Sequence, residues 1–178
     1  MSVEHERLLR PDFITDLPQR PIEEIRSMRA ECIDAETGLS YLRRLVQGPL
    51  DLVSAELSRR AAGQGSADLA EIVASLPNTL ADQTRPSGVG RLSQTLEPTA
   101  VDPGLQAELD QLVGNAQVTR LGDVGALELV ELAEHLRLFE QKVSERRRAF
   151  FDTIDALQAE LARRYQTGEA SVDTLLKG

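Results

Sequence analysis

The sequence predicts an all-α protein: two long helices packed as an antiparallel coiled-coil pair, with short helices in a flexible connector. Three observations carry that expectation. Aromatic residues make up 3% of the 178 residues and there is no Trp, while long stretches are rich in Ala, Glu, Leu and Arg. That composition with helical periodicity points to long helices rather than to a sheet or barrel. Apolar residues recur at three- and four-residue spacing in two well-separated segments, and most of the Gly and Pro lies between them.

Residues 1–20 carry two prolines and no period, and read as an irregular arm. From Pro21 the pattern becomes helical, since proline at a helix start lacks only an N–H that would be unsatisfied anyway. Ile22, Ile25, Cys32, Leu39, Val46, Leu50, Val53 and Leu57 then mark a stripe of a helix over 21–62, stopped by Gly63 and Gly65. Such a helix is a rod of roughly 60 Å. Gly48-Pro49 falls inside it, where proline removes a hydrogen bond and clashes with the preceding turn. Either the helix breaks there into two, or it bends and shapes a ligand site.

Residues 63–122 read as a flexible connector with short helices. One is expected over 67–76, and another over 104–113, where Asp102-Pro103 supplies a cap followed by proline. Residues 77–101 have the composition of a linker. The second long helix spans 123–167, with a stripe at Leu129, Leu132, Leu136, Phe139, Val143, Phe150, Ile154, Leu157 and Leu161, and residues 168–178 form a tail. Neither stripe can be buried alone, so the helices pack on each other. Antiparallel packing is favoured because it needs only a short crossing and sets the two halves facing one another about a two-fold axis.

The net charge of −9 argues against nonspecific binding to nucleic acid or an anionic membrane, both of which demand a basic surface. No apolar run approaches the ~18 residues of a membrane span. The opening MSVEHERLLRPDF is too acidic and too poor in apolar residues for a signal peptide. A single Cys32 excludes an intramolecular disulfide and fits a reducing cytoplasm; on the apolar stripe it reads as core. His5 and His135 are too few and too separated for a metal site. No arrangement of catalytic residues emerges, so an enzyme is not expected. Arginine is abundant and lysine is confined to Lys142 and Lys177, a bias that fits a GC-rich bacterial genome.

The most specific feature is an internal repeat. Aligned without gaps, residues 36–60 and 140–164 share ten of twenty-five positions. The shared residues are mostly polar: Glu36/Glu140, Ser40/Ser144, Arg43/Arg147, Arg44/Arg148 and Asp51/Asp155, then Ala55/Ala159, Glu56/Glu160, Leu57/Leu161, Arg59/Arg163 and Arg60/Arg164. A coiled coil repeats its apolar seam because burial demands it, whereas charged faces drift. Here a charged face is repeated. On a helical wheel Glu36, Ser40, Arg43, Gln47 and Asp51 fall in one narrow arc, with Glu36 and Arg43 where the seam should continue. Glu140, Ser144, Arg147, Phe151 and Asp155 repeat the arc on the second helix.

Burying these charges without partners is costly, so they pair with one another or a ligand completes them. Arginine offers a planar fork for phosphate oxygens or the O6/N7 edge of guanine. A carboxylate accepts the N1–H and N2–H₂ donors of guanine's other edge, and Ser and Gln add contacts to phosphate or ribose. Acid, arginine and hydroxyl together describe a guanine-nucleotide site better than a bare phosphate site. No Gly-rich phosphate loop is present. Duplication of a plain helical hairpin would produce the same repeat with no ligand, which leaves a ligand-free scaffold or adaptor as the alternative.

The set Glu36, Ser40, Arg43, Gln47, Asp51 resembles the E-x3-S-x2-R-x3-Q-x3-D signature of the RsiG family of actinobacterial anti-sigma factors. The resemblance covers both long helices, and the second copy departs from it only at Phe151, which stands where Gln47 stands and can pack as core or against a base. It implies that two molecules of cyclic di-GMP bind against the two helices. Glu36, Ser40, Arg43, Gln47 and Asp51 would serve one, and Glu140, Ser144, Arg147 and Asp155 the other. It implies as partner a sporulation sigma factor of the flagellar type, called WhiG, held one-to-one, with no direct contact to nucleic acid. Arg44 and Arg148 join the set on physical grounds: both are repeated, both stand one step from the stripe, and a doubled cyclic dinucleotide brings several phosphate charges. The repeated Glu-Leu-x-Arg-Arg tails at 56–60 and 160–164 read as solvated surface or as a partner contact.

Overall fold

The computed structural model describes residues 3–63, 101–115 and 118–169, and every regular element among them is helical. α1 spans Val3–Leu8, followed by 3₁₀ turns at Pro11–Ile14 and Leu17–Gln19. α2 runs Ile22–Ala61, α3 Pro103–Asn115, and α4 Ala126–Thr167, the last preceded by a 3₁₀ stretch at Val118–Asp123. The two long helices pack against each other and run antiparallel: in one region Glu36 meets Arg147 while Arg26 meets Tyr165, and in another Arg43 meets Glu140 while Arg60 meets Val124. The all-α expectation holds. The helix expected over 67–76, and the linker 77–101 apart from Val101, lie outside the described residues.

The arm differs from expectation. Residues 1–20 hold one short α-helix and two 3₁₀ turns rather than irregular chain. Pro11 and Pro18 sit at the starts of those turns, and Leu8, Phe13 and Leu17 are buried. Elements this short cannot display a period, so the sequence gives no helical signal there.

α2 begins where Pro21 offers its carbonyl to Ile25 N–H, and ends at Gly63, whose positive φ of 75° places it in the left-handed region that terminates helices. α4 ends the same way at Gly168, φ 74°. α2 continues through Pro49 as one helix. From Ile25 to Val46 the buried side chains along α2 are Ile25, Met28, Cys32, Ala35, Leu39, Leu42 and Val46, the alternating three–four spacing of a coiled-coil seam; farther on Val53, Ala55 and Glu56 are buried. Glu36 and Arg43 therefore flank the seam, half-buried, instead of occupying it. Small Ala35 and Leu42 fill the places assigned to them, because a seam of period 3.5 drifts from a wheel of 3.6.

The chain forms two compact units. The first comprises residues 1–41, 98–104 and 144–178. Its core joins Ile25, Cys32 and Leu39 of α2 with Phe150 and Leu157 of α4. α1 is fixed to α2 by the Arg7–Glu31 ion pair at 2.6 Å. His5 is buried with its ring edge-on to Phe150 at 5.5 Å and Nδ1 3.4 Å from Asp102. Burial lowers the His5 imidazole pKa, with Asp102 opposing and Arg146 reinforcing the shift. Asp102 also caps α3 by accepting Gly104 N–H at 2.9 Å, as its place before Pro103 predicts. Cys32 is fully buried, and desolvation raises its thiol pKa to about 11.

The second unit comprises residues 42–97 and 105–143. Leu42, Val46 and Val53 of α2, Leu105 and Leu109 of α3, and Leu129, Leu136 and Phe139 of α4 make its core. Lys142 ties α4 to α3 through Glu108 at 2.6 Å.

Candidate functional site

In the first unit, Glu36 is the hub. Its Oε1 accepts Ser40 Oγ–H at 2.6 Å and Arg147 Nε–H at 3.0 Å. The Arg147 guanidinium also lies 5.4 Å from the centre of the Phe151 ring. Phe151 is exposed, so it is not core; it serves as a face for that cation. Ser144 is half-buried, and Arg148 and Asp155 are exposed.

In the second unit, Arg43 Nε–H donates to Glu140 Oε1 at 2.7 Å. Gln47 and Asp51 are half-buried and Arg44 is exposed. Burial raises the Asp51 carboxyl pKa above its ordinary value, and Asp51 has no hydrogen-bond or ion-pair partner among the described residues to offset this.

The two pairs are crossed. The acid of each copy binds the arginine of the other, Glu36 with Arg147 and Glu140 with Arg43, so a shift of 104 residues turns one pair into its counterpart. The charges thus pair with one another, the first of the two outcomes that the cost of burial allows. All four side chains keep partial contact with water, from 12% exposure at Glu36 to 33% at Arg43, so the pairs lie between the solvent-exposed and the buried limits.

The tails at 56–60 and 160–164 are neither solvated surface nor an open contact face. Glu56 and Glu160 are buried, and each anchors two arginines of its own helix. Arg60 reaches across to the turn before α4, donating to Val124 O and Leu121 O at 2.8 Å and Gly122 O at 3.2 Å. Arg164 donates to Leu17 O and Arg20 O, both at 2.7 Å, in the turn before α2. Leu17 and Leu121, and Arg20 and Val124, are again 104 residues apart. The repeat therefore extends to backbone contacts beyond the aligned segment, one pair identical (Leu17 and Leu121) and one not (Arg20 and Val124). Burial pushes the Glu56 carboxyl pKa up, but hydrogen bonds from Arg59 and Arg60 outweigh it and hold it below the ordinary value. Arg163 and Arg164 hold Glu160 at about 2. Half of the ten repeated identities, from Ala55 to Arg60, thus belong to or adjoin a structural clasp, and the other half carry the candidate site.

Among the described residues no group of three or more His, Cys, Asp or Glu is placed to hold a metal ion, and no helix is long and apolar enough to cross a membrane. No curated protein matches the chain. The profile of the RsiG-like family matches residues 11–80 and 115–177, both long helices with their repeated acids and arginines included. With most of its length covered by that match, the chain belongs to the RsiG-like family.

Proposed function

We propose that this protein is a non-enzymatic, cytoplasmic anti-sigma factor that binds cyclic di-GMP along its two repeated stripes and sequesters a sporulation sigma factor of the flagellar, WhiG type. Membership of the RsiG-like family supports the anti-sigma role. The observation that carries the ligand is the crossed acid–arginine pairing. Each arginine is held by a partly buried carboxylate that still meets solvent. A phosphate offers the same fork a more highly charged partner, and the carboxylate it displaces becomes free to accept the N1–H and N2–H₂ donors of guanine. Glu36, Ser40, Arg43, Gln47 and Asp51 serve one nucleotide; Glu140, Ser144, Arg147 and Asp155 serve the second. The exposed Arg44 and Arg148 offset the remaining phosphate charge. The acidic balance of the chain suits a partner whose DNA-facing surfaces are basic.

Titration calorimetry tests this reading, with cyclic di-GMP against GTP and cyclic di-AMP, in the presence and absence of a flagellar-type sigma factor. The wild-type chain binds cyclic di-GMP selectively, and replacing Arg43 and Arg147 with Ala abolishes binding while far-UV helicity persists. Tight binding by that double variant would refute the site. A ligand-free scaffold is the second reading, favoured by the fact that the charges already satisfy one another. Arg43→Lys separates the two: a lysine keeps the ion pair with Glu140 but supplies no planar fork. The scaffold tolerates it; the nucleotide site loses at least tenfold in affinity.

A further inference from the structure

The outward face of the first three turns of α4 is apolar where the fold does not need it to be. Leu127, Val130 and Leu138 are 81%, 54% and 49% exposed. On a helix of ~3.6 residues per turn they lie within an arc of about 80° and span about 16 Å. All three belong to the second unit. Leu45 of α2, also exposed, stands level with Leu138, because the Arg43–Glu140 pair sets the antiparallel register two residues away.

The repeat supplies an internal control. At the equivalent places in α2, 104 residues earlier, stand Glu23, Arg26 and Asp34. There Arg26 lies against the Tyr165 ring and donates to its hydroxyl; the counterpart of Tyr165 in the other unit is the exposed Ala61. One copy of this face is thus polar and occupied from within the chain, whereas its twin is apolar and open. Packing of the helical pair cannot account for the difference, since the same pair is built with either set.

The electrostatics of the open face select an occupant. Glu134 falls within the same arc, Glu131 about 20° past its Leu138 edge and Glu128 farther round on that side; all three are exposed, and the nearby cation Arg137 is bonded to Glu134 at 2.8 Å. An apolar ladder edged by Glu131 and Glu128, which pair with no cation among the described residues, is complementary to an amphipathic helix with aliphatic residues on one face and Lys or Arg on its margins. We propose that Leu127, Val130 and Leu138, with Glu131, form the docking face for a basic amphipathic helix of the partner protein. The inference rests on the proposed function for the identity of that partner, a flagellar-type sigma factor.

The test uses the full chain with cyclic di-GMP and a purified sigma factor of that type. A triple variant, Leu127→Gln, Val130→Gln and Leu138→Gln, removes the ladder with good helix formers at exposed sites, so its helicity and melting temperature stay at the wild-type values. Its sigma-factor affinity falls at least tenfold, and Glu131→Lys alone lowers it several-fold with a weaker dependence on salt. Wild-type affinity in the triple variant overturns the proposal while leaving the anti-sigma reading intact. A wild-type chain that captures no sigma factor overturns both. Two further outcomes overturn the face alone: a wild-type dimer that the triple variant converts to monomer at unchanged sigma affinity, or a photoreactive residue at position 130 that crosslinks to residues 64–100 of its own chain.

Discussion

At the scale of single residues, the chemistry of this chain is dominated by arginines that have been given different tasks by their surroundings. Arg164 is buried and satisfied on every side by Glu160 and two backbone carbonyls. Arg164→Ala would leave the Leu17 and Arg20 carbonyls without this donor and Glu160 with Arg163 alone, and cost roughly 3 kcal/mol, read as a lower urea midpoint at unchanged slope. Acid attacks the same clasp from the other partner. The Glu160 carboxyl, held at about 2 when folded against an ordinary 4.5, contributes stability that is fully present above pH 4.5 and is lost as the pH falls toward 2. Glu160→Gln flattens the melting temperature over that window, and an equally steep wild-type and variant profile would assign the acid sensitivity elsewhere. Arg147 has the opposite character, lying at a solvated edge against the Phe151 ring. On the proposed function, Phe151→Ala weakens cyclic di-GMP binding by about tenfold, since a stacked base is worth ~1–3 kcal/mol; an unchanged titration would remove the ring from the site.

At the scale of elements, much was legible because long helices write their period into the sequence. The stripes at Ile25, Cys32, Leu39 and Val46 and at Leu129, Leu136, Val143 and Phe150 are all buried. The repeated polar residues were equally plain, as a gapless alignment needs no structure. What was hidden lies in contacts that join distant segments without a local pattern. Glu-Leu-x-Arg-Arg looks the same on a solvated helix face as in a clasp, because the clasp's acceptors are backbone carbonyls, which carry no residue signature. His5 was unreadable for a related reason: its partners Asp102 and Phe150 stand far along the chain. Glu36 and Arg43 were misplaced by one seam position because Ala35 is too small to register as a hydrophobic anchor. Pro49 remains a local conflict that α2 absorbs without ending. Pro49→Ala restores a donor inside the helix and raises stability by about 1–3 kcal/mol, measurable by chemical denaturation; a loss of stability would mean that the proline fits a bend the packing requires.

At the scale of the whole molecule, the chain is one structural sentence spoken twice. The crossed pairs, the clasps and their acceptor turns all map onto one another through the same offset of 104 residues. Equivalence of contacts makes a quantitative expectation available. Arg60→Ala and Arg164→Ala remove corresponding interactions in separate units, so their destabilisations add within about 0.5 kcal/mol in the double variant. A large departure from additivity, measured in the same urea series, would show that the units lose their structure together through the shared helices.

Equivalent contacts are nevertheless unequal in time. The second unit's clasp joins residues 61–64 apart, the first unit's residues 144–147 apart. Closing the longer loop in a free chain costs about 0.8 kcal/mol more in entropy. During synthesis the asymmetry is larger. Arg60 can seize its carbonyls once Leu121–Val124 has left the ribosome, whereas Leu17 and Arg20 wait for Arg164, about forty residues and roughly 2–8 s later at ~5–20 residues per second. For that interval the arm and the start of α2 have only part of their final partners, and the half of the protein that is made first is the half that is finished last.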